Sequence, residues 1–357
     1  MRLSPLGAAL AGAWLTLACD QGAPALDEAA GPPLHAVATF PTVGAGTDCT
    51  SAPSCSGVPL NSDIEIRFDR YLDPSTAIRQ SVLLYTGTRD AALFLEPEYD
   101  VLERVVRYRL VDTQLKPSTL YTFEFNIPTE DNPNGFRAFD GAGLEAGSIP
   151  LRFNFFTGET TKDRPEPPAT ADCQQILDLF RARCGSCHQS APSGAGGCPP
   201  GRARDPSSQD CVGVPRQGLD LSSLSGVERT ALGHVAHQTE IGPRGGSPLE
   251  NPQRVGVQMP IIDASRPENS YLMYKLLRNE RNFVVLDSMG RPLLGETRHQ
   301  VALPSGQLVA SEAERARLRE WFVRLDPMPA QDDFIELSEL RAIQEWIRTG
   351  ANLSACK

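Results

Sequence analysis

Ile64-Glu65-Ile66-Arg67-Phe68-Asp69 alternates apolar and charged side chains without a break. A period of two sends successive side chains to opposite faces of a strand. Ile64, Ile66 and Phe68 therefore share one face, and Glu65, Arg67 and Asp69 the other. The same period runs through Tyr121-Thr122-Phe123-Glu124-Phe125-Asn126 and through Leu151-Arg152-Phe153-Asn154-Phe155. Strands of this kind bury one face and wet the other. Turn signals separate them at Asp73-Pro74, Lys116-Pro117, Asn134-Gly135 and Asp140-Gly141. The expectation is an all-β domain over residues 36–157, built as a sandwich. Its acidic loop Glu130-Asp131-Asn132 lacks the ligand spacing of a calcium site and reads as a solvated turn.

Moving toward the C-terminus, residues 158–170 hold three prolines and no large apolar side chain, the composition of a semi-rigid linker. Beyond them the period changes. Cys173, Ile176, Leu177 and Phe180 recur at helical spacing. Residues 269–278 form a further apolar helix. Ser311 with Glu314 has capping-box spacing and opens a helix to about Leu325. Ser338 is placed to cap a last helix lined by Leu340, Ile343 and Ile347, with Gly350 at its stop. Residues 189–216 have no periodicity and read as a loop. The second domain, 171–357, is thus expected to be all-α.

At the end of the first of these helices stands Cys184-Gly185-Ser186-Cys187-His188. Two thiols three residues apart, with an imidazole next to the second, are what covalent haem attachment requires. The thiols of Cys184 and Cys187 add across the two vinyl groups, and His188 meets the iron. A zinc ribbon would need a second close cysteine pair, which Cys198 and Cys211 are too far apart to form. A redox dithiol would need a βαβ setting. One motif implies one haem c. Two Met-Pro pairs, Met259-Pro260 and Met328-Pro329, offer a distal thioether, and spacing favours Met259. Phe180 is placed to pack on the haem edge. His234, His237 and His299 read as surface or internally satisfied histidines, and Trp321 and Trp346 as core residues.

The 357 residues carry a net charge of −10. Residues 1–170 hold 13 Lys+Arg against 22 Asp+Glu, or −9, and residues 171–357 hold 21 against 22, or −1. An acidic front half with no basic tract argues against nucleic acid as a partner. Arg2 followed by an apolar run from Leu6 to Leu17 reads as an export signal, and Thr16-Leu17-Ala18-Cys19 as a lipoprotein box. This makes 1–19 a signal peptide, Cys19 the lipidated residue and 20–35 a flexible tether. Contact with a membrane is then through the lipid anchor only. Of nine cysteines, removing Cys19, Cys184 and Cys187 leaves six, an even number in an exported chain. Pairing near neighbours joins Cys49 to Cys55 and Cys198 to Cys211 and leaves Cys173 with Cys356. Other connectivities, or reduced thiols, stay open.

Two resemblances add to this. Val58-Pro59-Leu60, the 64–69 strand, Leu72-Asp73-Pro74, Leu115-Lys116-Pro117-Ser118-Thr119-Leu120-Tyr121, Asp140-Gly141-Ala142-Gly143-Leu144 and the run closing at Gly158 resemble bacterial Ig-like domains. These imply a spacer or adhesion module. Gly218-Leu219-Asp220-Leu221-Ser222, Pro267-Glu268-Asn269-Ser270-Tyr271-Leu272, Met328-Pro329 and Trp346-Ile347-Arg348-Thr349-Gly350-Ala351 resemble c-type cytochrome domains of the planctomycete and myxobacterial kind. That likeness places the distal ligand at Met328, with Met259 the alternative. Together they imply an Ig-like sandwich followed by an all-α cytochrome c-like domain. The chain would be a lipid-anchored monohaem electron carrier of a bacterial cell envelope, periplasmic or on the outer surface, serving other redox proteins there. The alternatives are an adhesion lipoprotein in which haem is secondary and a haem peroxidase-like enzyme.

Overall fold

A computed structural model describes residues 31–42, 57–128, 134–162, 172–185, 188, 202–204, 211–213, 218–239, 258–278, 285–286, 292–293, 299–301, 310–323, 328–329 and 335–356. Eight strands form its first half: β1 (Leu34–Phe40), β2 (Ile64–Phe68), β3 (Val82–Tyr85), β4 (Leu95–Asp100), β5 (Val105–Leu110), β6 (Leu120–Phe125), β7 (Leu144–Glu145) and β8 (Arg152–Phe156). They make two sheets. One is a curled half-barrel in the order β4-β5-β2-β1-β7, and the other is three-stranded, β3-β6-β8. Neighbours pair antiparallel except β7, which runs parallel to β1 through Leu34–Leu144 and His35–Glu145. Aromatic side chains fill the space between the sheets. Tyr108 of β5 and Phe123 of β6 meet across it at 6.5 Å, and Phe136 lies 4.8 Å from Phe68 of β2.

Alternation is kept in β6, whose residues are buried at every second position. In β2 it is not: all five residues are buried, with Glu65 at 1% exposure and Arg67 at 0%. The face expected to be wet is covered by the second half of the chain. Residues 158–162, placed in the linker by composition, bond back to the β module. Val58 O accepts from the Gly158 N–H, Thr160 O from the Leu60 N–H, and Lys162 O from Asn61 Nδ2.

The second half departs further from expectation. Its described residues hold five short helices, α1 (Cys173–Cys184), α2 (Leu224–Thr230), α3 (Tyr271–Leu277), α4 (Glu312–Trp321) and α5 (Leu337–Arg348). They also hold two small hairpins, β9 (Arg202–Arg204) with β10 (Cys211–Gly213) and β11 (Val285–Leu286) with β12 (Pro292–Leu293). The described residues are mostly β-sheet. The expected class, an Ig-like sandwich followed by an all-α cytochrome c-like domain, is therefore corrected: no all-α cytochrome-like domain is present among the described residues. The physical reason is length. The described helices run only 7 to 12 residues, with turns, isolated bridges and small hairpins between them. α3 is buried on nearly every side, a wedge rather than a bundle helix with a wet face. The segments between helices pair as isolated bridges, Leu232 with Ile262 and Val235 with Pro260.

α5 is capped by Glu336 in a capping box with Glu339, two residues before the expected Ser338. The buried apolar residues of both halves belong to one continuous cluster. Among the described residues, no helix is long and apolar enough to cross a membrane.

Candidate functional site

α1 ends on Cys184, the first residue of the Cys-x-x-Cys-His motif, and is built to be rigid. Asp172 accepts from the Gln175 N–H while the Gln175 side chain accepts from the Asp172 N–H, closing a capping box. Cys173, Ile176, Leu177 and Phe180 bury one face. The same helix is bound to the chain end by a Cys173–Cys356 disulfide, with Cα atoms 5.3 Å apart. Arg183 ties it to Glu339 of α5 at 2.9 Å. Phe180 meets Trp346 of α5 edge to face at 6.0 Å, and both are buried. The indole Nε1 of Trp346 is buried with no hydrogen-bond partner among the described residues.

Cys184, half-buried, is the last residue of α1. The His188 N–H donates to Cys184 O at 2.9 Å, and His188 O accepts from the Leu221 N–H at 2.8 Å. Its ring is buried, with Nδ1 3.2 Å from Leu219 O. A carbonyl only accepts, so Nδ1 is the nitrogen that carries the proton in this contact, and in a neutral ring of that form the lone pair is on Nε2. That is the tautomer of a metal-ligating imidazole bound through Nε2. Met259 is 1% exposed, and its carbonyl is held by the Ala236 N–H and the Thr239 hydroxyl. Met328 is partly buried against the same apolar cluster that holds Phe180 and Met259. His234 and His237 are exposed. Cys19, Cys49, Cys55, Cys187 and Cys198, with the Glu130-Asp131-Asn132 loop, lie outside the described residues, and of Cys211 only the backbone is described. The side chain of Trp321 is also outside them.

Periodicity gave no sign of a second group of residues. His299 is buried between the halves, with Nε2 3.0 Å from Asp100 Oδ2 and Nδ1 3.4 Å from Glu65 Oε1. Arg107 Nη2 stands 3.2 Å from the same Nδ1. Glu65 Oε2 accepts the N–H groups of Gln300 and Val301 at 2.6 and 2.9 Å. Glu103 pairs with Arg67 through Oε2 and with Arg341 of α5 through Oε1, both at 3.1 Å. Burial pushes His299 down, but the hydrogen bonds and charges of Asp100 and Glu65 raise it above its ordinary value. Burial likewise raises Glu65 and Asp100, and the His299 contacts, together with Arg107 and the Val301 N–H at Glu65 and the Glu103 N–H and Gln344 side chain at Asp100, reverse it, so both are held below theirs. A neighbouring network docks α4. Arg70 reaches Glu314 at 3.0 Å and also Asp140, and Glu314 accepts the Tyr71 N–H at 3.0 Å.

Asp100, Glu103 and His299 each place a ligand-type atom within 4.8 Å of the others. Both Glu103 oxygens are already in arginine pairs, however, and a divalent ion there would face Arg67 and Arg341. This cluster is an ion-pair network rather than a metal cage.

No family model matches the chain, and no curated protein matches it. Among solved structures it is similar to the S-layer protein rSbsC, at 14% identity over 40% of this chain and 15% of that one, with a TM-score of 0.23. Domains 1–6 of surface layer protein SbsC match at 13% identity over 40% of this chain and 15% of that one, with a TM-score of 0.24. The N-terminal part of the bacterial S-layer protein SbsC matches at 13% identity, over 40% of this chain and 26% of that one, with a TM-score of 0.24. The chain spans at most about a quarter of the length of these structures, and likenesses at this level carry no argument about what it does.

Proposed function

We propose that the chain is an exported monohaem c-type protein that passes single electrons, with its haem held on α1 and the segment after it. What supports this is the motif Cys184-x-x-Cys187-His188 together with one contact, His188 Nδ1 on Leu219 O. The residues present fit the group. Cys184 stands at a helix end where a thioether is reachable from solvent. The His188 ring is set in the ligating tautomer. The buried indole N–H of Trp346, lacking a partner among the described residues, is the kind of orphan that an acceptor on a bound group satisfies.

Bound there, the haem supplies an iron that alternates between ferric and ferrous states and so carries one electron. Cys184 and Cys187 would hold it through thioether bonds. His188 would supply the imidazole ligand to the iron. Met328, with Met259 the alternative, would supply a thioether ligand, which would raise the potential. Phe180 and Trp346 keep water from the site. The partners are redox proteins of the cell envelope, reached from a lipid anchor at Cys19.

The test is co-expression of the full chain with c-type maturation machinery in an exporting host. The expected product has the mass of one added haem and a reduced c-type α-band, and Cys184→Ala loses the second thioether. A colourless product without added mass overturns the proposal.

A further inference from the structure

We propose that His299 is a pH-sensitive latch between the two halves of the chain, closed when its ring carries both protons and bridges Glu65 and Asp100, and loosened when it loses one. The proposal stands independently of any cofactor. It starts from the placement of the ring. His299 faces a carboxylate with each nitrogen, Asp100 from β4 and Glu65 from β2. Only the doubly protonated ring donates to both. Once deprotonated at one nitrogen, it leaves a lone pair against a carboxylate oxygen or hands Nδ1 to Arg107 as an acceptor. Nδ1 thus stands between an acceptor and a donor, and one proton decides which of them it serves.

The surrounding charges do not take over this role. From β2 comes Arg67, committed to Glu103. From the turn after β4 comes Arg104, whose Nε donates to Phe68 O. From β5 comes Arg107, also 3.2 Å from Glu65 Oε1. α5 supplies Arg341 on Glu103 and Arg348 on Glu345. Every cation other than His299 stays charged throughout the physiological range, so the imidazole is the member whose charge changes there. The latch acts on a short stretch of chain. Glu65 also clasps the amides of Gln300 and Val301, so weakening the Glu65–His299 contact loosens all of residues 299–301 from the sheet.

The experiment is hydrogen exchange and histidine NMR on the full chain from about pH 5 to about pH 10. His299 is expected to titrate above the ordinary value of about 6.5. Protection of the Gln300 and Val301 amides, corrected for intrinsic base catalysis, should fall about tenfold or more through that titration. Protection in β6 should stay level. In His299→Gln the same amides should show lower, pH-independent protection. Should that variant not fold, the wild-type titration decides. A His299 value at or below about 6.5 overturns the proposal. So does protection that is flat with pH, or a titration abolished by stoichiometric zinc, which would make the cluster a metal site.

Discussion

Leu219 contributes to the candidate site through its carbonyl, which no side-chain substitution removes, so the test at residue scale falls on His188 and the two methionines. His188→Ala should lose the low-spin spectrum of the reduced protein, because the imidazole set by that carbonyl is gone. Met328→Ala should lose the sulfur–iron charge-transfer band and lower the potential, whereas Met259→Ala keeps both. Stability should run the other way. Met259 is wholly buried, and its truncation should cost about 2–5 kcal/mol by urea unfolding, with a smaller loss at half-exposed Met328. A band lost in Met259→Ala instead would exchange their roles. The Cys-x-x-Cys-His motif was legible because its chemistry lies in five consecutive residues. The His299 group was not, because its members come from β2, β4, the turn after β4 and a segment some 200 positions later. No local period links them.

At the scale of elements, β2 shows what alternation does and does not fix. Ile64, Ile66 and Phe68 face the core as a period of two requires, yet Glu65 and Arg67 are just as deeply buried. Charge in a strand marks the face away from the apolar core, and whether water or another part of the chain covers it is a tertiary matter. α1 was legible from its apolar spacing, and its capping box follows from Asp172 and Gln175, a pair the spacing rule also fits. Asp172→Ala should lower stability by about 1 kcal/mol. Cys173→Ser opens a closure of 183 positions and should cost about 3–5 kcal/mol on the loop-entropy account. Both are read from urea midpoints under non-reducing conditions. The expectation of an all-α second half failed for a related reason. Helical spacing was real in α1 and α5, and α3 and α4 lie where apolar spacing and the Ser311 cap placed helices, but the other described stretches between α1 and α5 are the seven-residue α2, turns, isolated bridges and small hairpins.

Across the whole molecule the two halves share one apolar cluster and ion pairs that cross between them, Arg70 with Glu314, Arg341 with Glu103 and His299 with Asp100. The chain should therefore unfold in one transition, with fluorescence and far-ultraviolet dichroism coinciding. Arg67→Ala leaves Glu103 without its Arg67 partner and should cost about 3–5 kcal/mol. The pH dependence has a defined sign. Asp100 is held below its ordinary value, so its contribution is present above about pH 4 and lost as pH falls through the folded value. The stability advantage of the parent over Asp100→Asn should shrink accordingly in acid. His299 is held above its ordinary value, so its contribution is complete below about pH 6.5 and lost as pH rises through the folded value. The advantage over His299→Gln should shrink in base. The covered strand β2 also sets an order of events in biosynthesis. Glu65 precedes His299 by 234 positions, an interval of about 10–50 s at ribosomal speeds of about 5–20 residues per second. For that time the nascent β module displays ionised groups meant for a mate that has not been made. Holding chaperones are its natural custodians, and a gene truncated after the proline-rich stretch would leave the module permanently in that waiting state.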